Sequence, residues 1–376
     1  MKYSIGFIIL LITMILLSTA CRQPANVLRE HEQYLLVGTY TQEESKGIYV
    51  YAFDTLSATV RLISTTPVSN PSYLTPAVNG NYVYAVSEDA ENAQAHAYQF
   101  DRVTGTLSLL NSKPTGGAAP CYITVDKAQQ RVITANYTGG SISSFPLDTN
   151  GKLMDATVIS FIGHGTDPVR QTHTHLHSVH YSPDEKYLYA MDLGTDKIYC
   201  FKTQPTQDFY LVQSVPGEID LPPVSGPRHM DFHPNGRFAY LISELSGMVN
   251  VYGYDAKDGR LTALQAVAAD TIPAGGSADI HVSPDGRFLY ASNRLQNDGL
   301  AIFRIDSSGL LSRIGYQRTG THPRNFTLTP DGRFLLVACR DSNVIQVFRV
   351  DTETGLLTDI KQDIPLSMPV CLKFVP

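Results

Sequence analysis

The stretch "GPRHMDFHPNGRFAYLISEL", residues 226–245, decides how this chain is read. Two runs of alternating apolar residues flank a Pro-Asn-Gly-Arg turn, the pattern of an antiparallel strand pair. Arg228 sits just inside the first run and Glu244 near the end of the second. In a lone hairpin such charges mark a solvated edge, but the rest of the chain argues otherwise.

The stretch has relatives throughout the sequence. "PRHMDFHPNGRFAYLISE" from Pro227 matches "SADIHVSPDGRFLYASNR" from Ser277 and "PRNFTLTPDGRFLLVACR" from Pro323, and more loosely "LHSVHYSPDEKYLYAMDL" from Leu176. Weaker copies begin at Pro71 and Pro120, and the tail "PVCLKFVP" begins another at Pro369. Successive starts are 49, 56, 51, 50, 46 and 46 residues apart. A period near 50 built of short strands, with a second hairpin such as "GMVNVYGYDAKDGRLTAL" in each copy, describes the four-stranded blade of a propeller. The tail supplies one strand and residues 34–63 supply three, so tail and head together complete a blade. The expected fold is all-β: a seven-bladed β-propeller over residues 34–376, its ring closed by pairing the C-terminal strand with the N-terminal strands, which removes the open sheet edge. The chain has no Trp, which speaks against a repeat built on a Trp-Asp dipeptide.

Equivalent blades place equivalent residues around one axis, so the positions where the copies disagree are the informative ones. Arg237, Arg287 and Arg333, with Asp285 and Asp331, recur beside the turns and read as structural hairpin residues. One residue after each start come Ser72, Cys121, His177, Arg228, Ala278, Arg324 and Val370. Seventeen after it come Glu88, Tyr137, Leu193, Glu244, Arg294 and Arg340, with Tyr40 as the first-blade equivalent. The copy at Leu193 follows Asp192 and reads as one shifted by a residue. Antiparallel return brings the two positions side by side at one rim of the axial channel, so Arg228 and Glu244 belong to the wall of a funnel. A ring of His, Arg, Glu and Tyr can supply both a base and an anion clamp, or simply line a hydrated channel.

The segment "GHGTDPVRQTHTHLHSVHYS" accounts for the longest spacing. His173, His175 and His177 would share one strand face, but the strand rise separates the outer two by about 13 Å, too wide for three ligands to one metal. No metal or organic cofactor is expected. Residues 160–174 form either a lid over the funnel or a plain surface insertion. Neither a phosphate-binding Gly-rich loop before a helix nor a G-x-S-x-G elbow occurs, so water rather than serine is the expected nucleophile.

Net charge of −6 without a long basic run excludes an electrostatic footprint for nucleic acid. Met1 and Lys2 precede an apolar run from Ile5 to Leu17 and then "LSTAC", the pattern of a secretory signal. Ser18, Thr19 and Ala20 before Cys21 resemble the lipobox of bacterial lipoproteins. Residues 1–20 are therefore expected to be a signal peptide, Cys21 the lipidated first residue of an exported, membrane-anchored chain, and residues 21–33 a polar linker. Cys121, Cys200, Cys339 and Cys371 have no C-x-x-C spacing and read as buried thiols.

Together, "GPRHMDFHPNGRFAYLISEL", "ADIHVSPDGRFLYASNR", "HPRNFTLTPDGRFLLVA" and the opening "VGTYT" resemble the seven-bladed propeller lactonases, the family of bacterial 6-phosphogluconolactonases of the propeller type, to which fungal carboxy-muconate cyclising enzymes also belong. The resemblance spans residues 34–376. It implies a cofactor-free ester hydrolase that opens a sugar lactone with activated water, and it puts the active positions on His177, Arg228, Glu244 and Arg294. On that reading Glu244 or His177 is the general base, Arg228 and Arg294 hold the anionic part of the substrate and the oxyanion, and Tyr40, Tyr137, His175, Arg324 and Arg340 are substrate contacts. 6-Phosphogluconolactone is a cytoplasmic metabolite and this chain carries an export signal, so an extracytoplasmic aldonolactone is the other substrate expected. Lactone formation, or binding of a glycan or protein without catalysis, are the alternative activities.

Overall fold

The computed structural model describes residues 27–204 and 210–376. The expected signal segment and Cys21 lie outside the described residues. Seven antiparallel sheets form, and the only helical element among the described residues is one 3-10 turn, Arg340–Ser342. Blade 1 combines Glu32–Thr39, Gly47–Asp54 and Val60–Pro67 with the C-terminal strand Pro369–Phe374, which pairs antiparallel with Glu32–Thr39 and lies innermost. Blades 2 to 7 occupy residues 74–114, 120–160, 176–220, 227–268, 277–318 and 323–365. The ring is thus closed by strands more than three hundred residues apart, as the repeat count predicts. The first strand begins at Glu32, two residues before the expected boundary. Residues just ahead of it are already docked: Arg61 donates to the Val27 carbonyl at 2.8 Å and to the Glu32 carboxylate at 2.7 Å.

The repeat starts read from sequence coincide with the innermost strands Pro120–Val125, Leu176–Tyr181, Pro227–Phe232, Ser277–Val282, Pro323–Leu328 and Pro369–Phe374. In blades 4 to 7 the second strand, such as Phe238–Ser243 or Phe288–Asn293, is buried along its whole length, and in the others all but one residue is. Neighbouring blades cover both of its faces, which is why these strands read as continuous apolar runs rather than alternating ones.

Blades are stitched to one another by a recurring tyrosine. Tyr84, Tyr189, Tyr240 and Tyr290, all fully buried, donate to the carbonyls of Gly151, Gly259, Gly309 and Gly355 at 3.1, 2.5, 3.0 and 2.9 Å, each in a hairpin turn of the following blade. These glycines adopt φ between +74° and +81°, and a Cβ on Gly309 would stand 2.5 Å from the Phe238 ring. Only glycine satisfies both constraints, which explains why a glycine stands at this turn in each of the four blades.

The stitch predicts stability effects that chemical denaturation of the purified protein can measure. Tyr240→Phe, which orphans one buried carbonyl, costs about 1–2 kcal/mol. Gly309→Ala costs about 2–4 kcal/mol, because left-handed strain and overpacking against Phe238 add.

Candidate active site

Two features of the repeat deliver side chains to the axis. In six blades the residue one after the start is skipped by the strand ladder: Pro227 pairs with Ser243 and His229 with Ile242, leaving Arg228 as the bulged residue. The same irregularity falls on Cys121, His177, Arg324 and Val370, and in blade 6 on the pair Ala278 and Asp279. A bulge re-aims the extra side chain out of the alternating pattern. The second feature is a hydrogen bond repeated in every blade. The amide of the residue just past the second strand donates to the carbonyl just before the first strand, as in Glu244 to Gly226 at 2.7 Å and Arg294 to Gly276 at 3.1 Å. Tyr40, Glu88, Tyr137, Leu193 and Arg340 make the same bond, so all seven stand at one level of the funnel. The Leu193 copy is therefore in register and not shifted, contrary to the expectation from sequence.

These side chains line a cavity of about 300 Å³ on the axis, walled by His177, Glu244, Arg294, Arg324, Arg340, Tyr40, Glu88 and Tyr137, with Arg170 and His322. Glu244 is the electrostatic centre. It is 5% exposed and meets three guanidinium groups: Arg228 Nε donates to Oε2 at 2.7 Å, Arg170 Nη2 to Oε1 at 2.5 Å, and Arg294 Nη2 lies 3.1 Å from Oε2. Burial raises its pKa, but Arg294, Arg228 and Arg170 outweigh that and hold the carboxyl far below the usual carboxylate range. Arg294 is fixed by the Gly276 carbonyl at 2.8 Å and by His322 Nε2 at 3.1 Å. Burial pulls Arg294 down to about 9, against Glu244 acting in the other direction, which leaves it cationic at neutral pH. His177 is pushed well below the ordinary imidazole value by burial and by Arg228, so it is neutral. Its ring stands edge-on to Tyr137 at 5.5 Å. Tyr40 donates to Glu88 Oε2 at 2.9 Å, and the Arg324 guanidinium lies over the Tyr40 ring at 5.4 Å.

Seven of the nine residues expected at the site from sequence, His177, Glu244, Arg294, Tyr40, Tyr137, Arg324 and Arg340, share this cavity. Two do not. Arg228 is 1% exposed and lies beneath the floor, committed to Glu244 and to the Ala278 carbonyl at 2.5 Å. It bonds the Glu244 carboxylate from below and does not line the cavity. His175 stacks behind Tyr137 with ring centroids 4.3 Å apart and bonds the Tyr137 carbonyl, outside the cavity wall. His173 and His175 precede the strand Leu176–Tyr181, so the three histidines never share a strand face, and no group able to hold a metal occurs among the described residues.

Two polar lining residues, Arg170 and His322, escaped the sequence reading, as did the apolar Leu295. Arg170 comes from the insertion before blade 4, the blade whose register residue is the fully buried, apolar Leu193. The insertion is pinned there by Gln171, whose amide nitrogen donates to the Leu193 carbonyl at 2.9 Å and to Asp196 at 2.7 Å. It supplies the charge that Leu193 lacks. His322 sits one residue before the start of blade 7 with φ +62°, a conformation uncommon outside glycine, and that position was the available signal.

Comparison with known proteins agrees with this architecture. Residues 34–374 match the family described as Lactonase, 7-bladed beta-propeller. A 6-phosphogluconolactonase of Formosa agariphila is 38% identical, the alignment covering 88% of this chain and 96% of that protein. The crystal structure of a putative 6-phosphogluconolactonase from Bacteroides fragilis superposes with a TM-score of 0.90 at 50% identity, covering 92% of this chain and 99% of the other. The periplasmic gluconolactonase of Pseudomonas aeruginosa superposes at 0.87 with 36% identity, covering 92% and 99%. The fold and site define a propeller hydrolase with an arginine-rich axial pocket. The chain belongs to the seven-bladed β-propeller lactonases, and it is a carboxylic ester hydrolase.

Glu244→Gln removes the one charge facing three guanidiniums and is expected to lower stability by about 3 kcal/mol at neutral pH. Because the folded pKa of Glu244 is depressed, its stabilisation is complete above its ordinary value of 4.5 and erodes as pH falls below that. Denaturant curves of wild type and variant should therefore converge in acid.

Proposed function

We propose that the chain hydrolyses a six-carbon sugar lactone carrying an anionic or polyhydroxyl tail, with water as nucleophile and His177 as general base. The observation that carries this reading is the neutral imidazole of His177 in the wall of a cavity that also presents Arg170 and Arg294, both gathered on Glu244. Glu244 itself is a poor base, since three arginines hold its carboxyl far below the range in which it takes up protons. Its role is to orient Arg294 and Arg170. Arg294, fixed by backbone and by His322, is the preorganised donor for the oxyanion that forms when water adds to the lactone carbonyl. Arg324 and Arg340 face the cavity and suit a phosphate or hydroxyl tail. A cavity of about 300 Å³ fits a single sugar ring.

Relatives named 6-phosphogluconolactonase support a phosphorylated substrate, while the N-terminal segment and the neighbour named periplasmic gluconolactonase support a plain aldonolactone met outside the cytoplasm. The second is our reading, with the mature chain exported and anchored through Cys21. No helix among the described residues is long and apolar enough to cross a membrane.

Proton release should be followed with gluconolactone and 6-phosphogluconolactone, each corrected for spontaneous opening. Wild type is expected to open gluconolactone, and His177→Ala to lose roughly 10²–10⁴-fold in kcat. Undiminished turnover in that variant overturns the base assignment. Since the His177 pKa is lowered, the acid limb of kcat/KM should lie below pH 6.5. Separately, Cys21→Ala should move the protein from the membrane to the soluble fraction of cells that express it; unchanged fractionation removes the anchor.

A further inference from the structure

Bordering the cavity lies a second, narrow space of about 10 Å³, room for one water molecule. Its walls include Ser72, His177, Arg228, His229, Arg324 and Asn325. His177 borders both spaces and so forms part of the partition between them. Ser72 is 3% exposed, and its hydroxyl is buried with no hydrogen-bond partner in the protein. A buried hydroxyl left unpaired costs about 1–3 kcal/mol, and the chamber it borders has room for a partner.

The other side of the chamber carries an oriented imidazole. His229 Nδ1 lies 2.7 Å from Asp279 Oδ1 and donates to it, which leaves Nε2 as the acceptor nitrogen, 3.4 Å from Arg228 Nη1. Asp279 is 1% exposed and is saturated by four donors: His229, His281 at 3.1 Å, the Asn325 amide at 2.5 Å and the Phe326 N–H at 3.2 Å. Nothing in the lactonase reading uses this buried pair, and Glu244 is supported without it by Arg228, Arg170 and Arg294.

We propose that the chamber binds one water, held by Ser72 Oγ and His229 Nε2, which hydrogen-bonds His177 and couples it to the His229–Asp279 pair. The inference rests on His177 as base. When His177 takes a proton from the attacking water, its opposite N–H proton passes to the chamber water, and a proton of that water passes to His229 Nε2, beside the Asp279 carboxylate. As the C–O bond of the lactone breaks, the proton returns along the same path to the ring oxygen, which leaves as an alcohol. The new carboxylic acid then ionises to solvent. Ser72, His229 and Asp279 are positioning residues, since none lines the cavity that receives the substrate.

A high-resolution crystal structure of the wild-type protein is expected to contain one ordered water within hydrogen-bond distance of Ser72 Oγ, and an empty chamber overturns the site. Ser72→Val fills the chamber with a methyl group and should lower kcat roughly tenfold or more with KM within about twofold. His229→Gln should do the same, and Ser72→Ala, which leaves room for the water, should lose less. The proton inventory in mixed H2O and D2O should be curved for wild type and linear for Ser72→Val. Wild-type kcat and a curved inventory in Ser72→Val overturn the relay. Should Ser72→Val fold poorly, Ser72→Ala and His229→Gln carry the same comparison. Activity lost in His177→Ala but unchanged in these variants removes the relay alone, whereas activity retained in His177→Ala removes the base assignment and leaves the water site to be judged by crystallography.

Discussion

Antiparallel pairing of Pro369–Phe374 with Glu32–Thr39 is the constraint on which the remaining structure depends. Blades pack face to face through apolar residues, and in an open array of seven sheets the two end blades would each leave one such face exposed. Closure also sets the dimensions of the axis. Tyr40 leaves the first blade while Arg324 and Arg340 come from the last, yet Arg324 lies over the Tyr40 ring and approaches Glu88 to 3.9 Å. These contacts exist only because the two ends of the chain meet in one sheet. At four of the seven interfaces a buried tyrosine bonded to a left-handed glycine turn then stitches one blade to the next.

Within that frame the site is an electrostatic arrangement around one carboxylate. Three guanidiniums packed together would repel one another strongly in a low-dielectric interior. Glu244 makes their assembly tolerable and in return fixes their directions. Depth separates the arginines. Arg228, beneath the floor, bonds Glu244 and the Ala278 carbonyl, whereas Arg324 and Arg340 border the cavity. Neutral His177 beside these cations follows from its burial first and from the same field second.

How much of this was legible in the sequence can be traced residue by residue. The fold was legible because "PDGRF" turns recur at a near-constant period, and the period alone counts the blades. The site was legible to the extent that it obeys the repeat: Glu244, Arg294, Arg340, Tyr40 and Tyr137 all stand at one register position, and the structure adds the hydrogen bond that explains it. Depth was not legible. A strand pattern assigns a residue to a face and a rim but cannot tell a bulged side chain that enters the cavity, such as His177, from one that turns under it, such as Arg228. Arg170 was hidden for a different reason, since it arrives on an insertion with no counterpart in other blades. The shift read at Leu193 came from expecting a polar residue where the insertion had already provided one.

The bulge and the strand exit have one more consequence. Both cavity-facing positions of a blade fall outside the regular ladder, so exchanging their side chains leaves the sheet's main-chain bonds and the tyrosine stitches untouched. Ligand preference is thereby uncoupled from foldability, and a descendant lineage can diversify what it recognises one blade at a time. Glu244 is the exception: with three partners on three separate segments, it can be replaced only together with them.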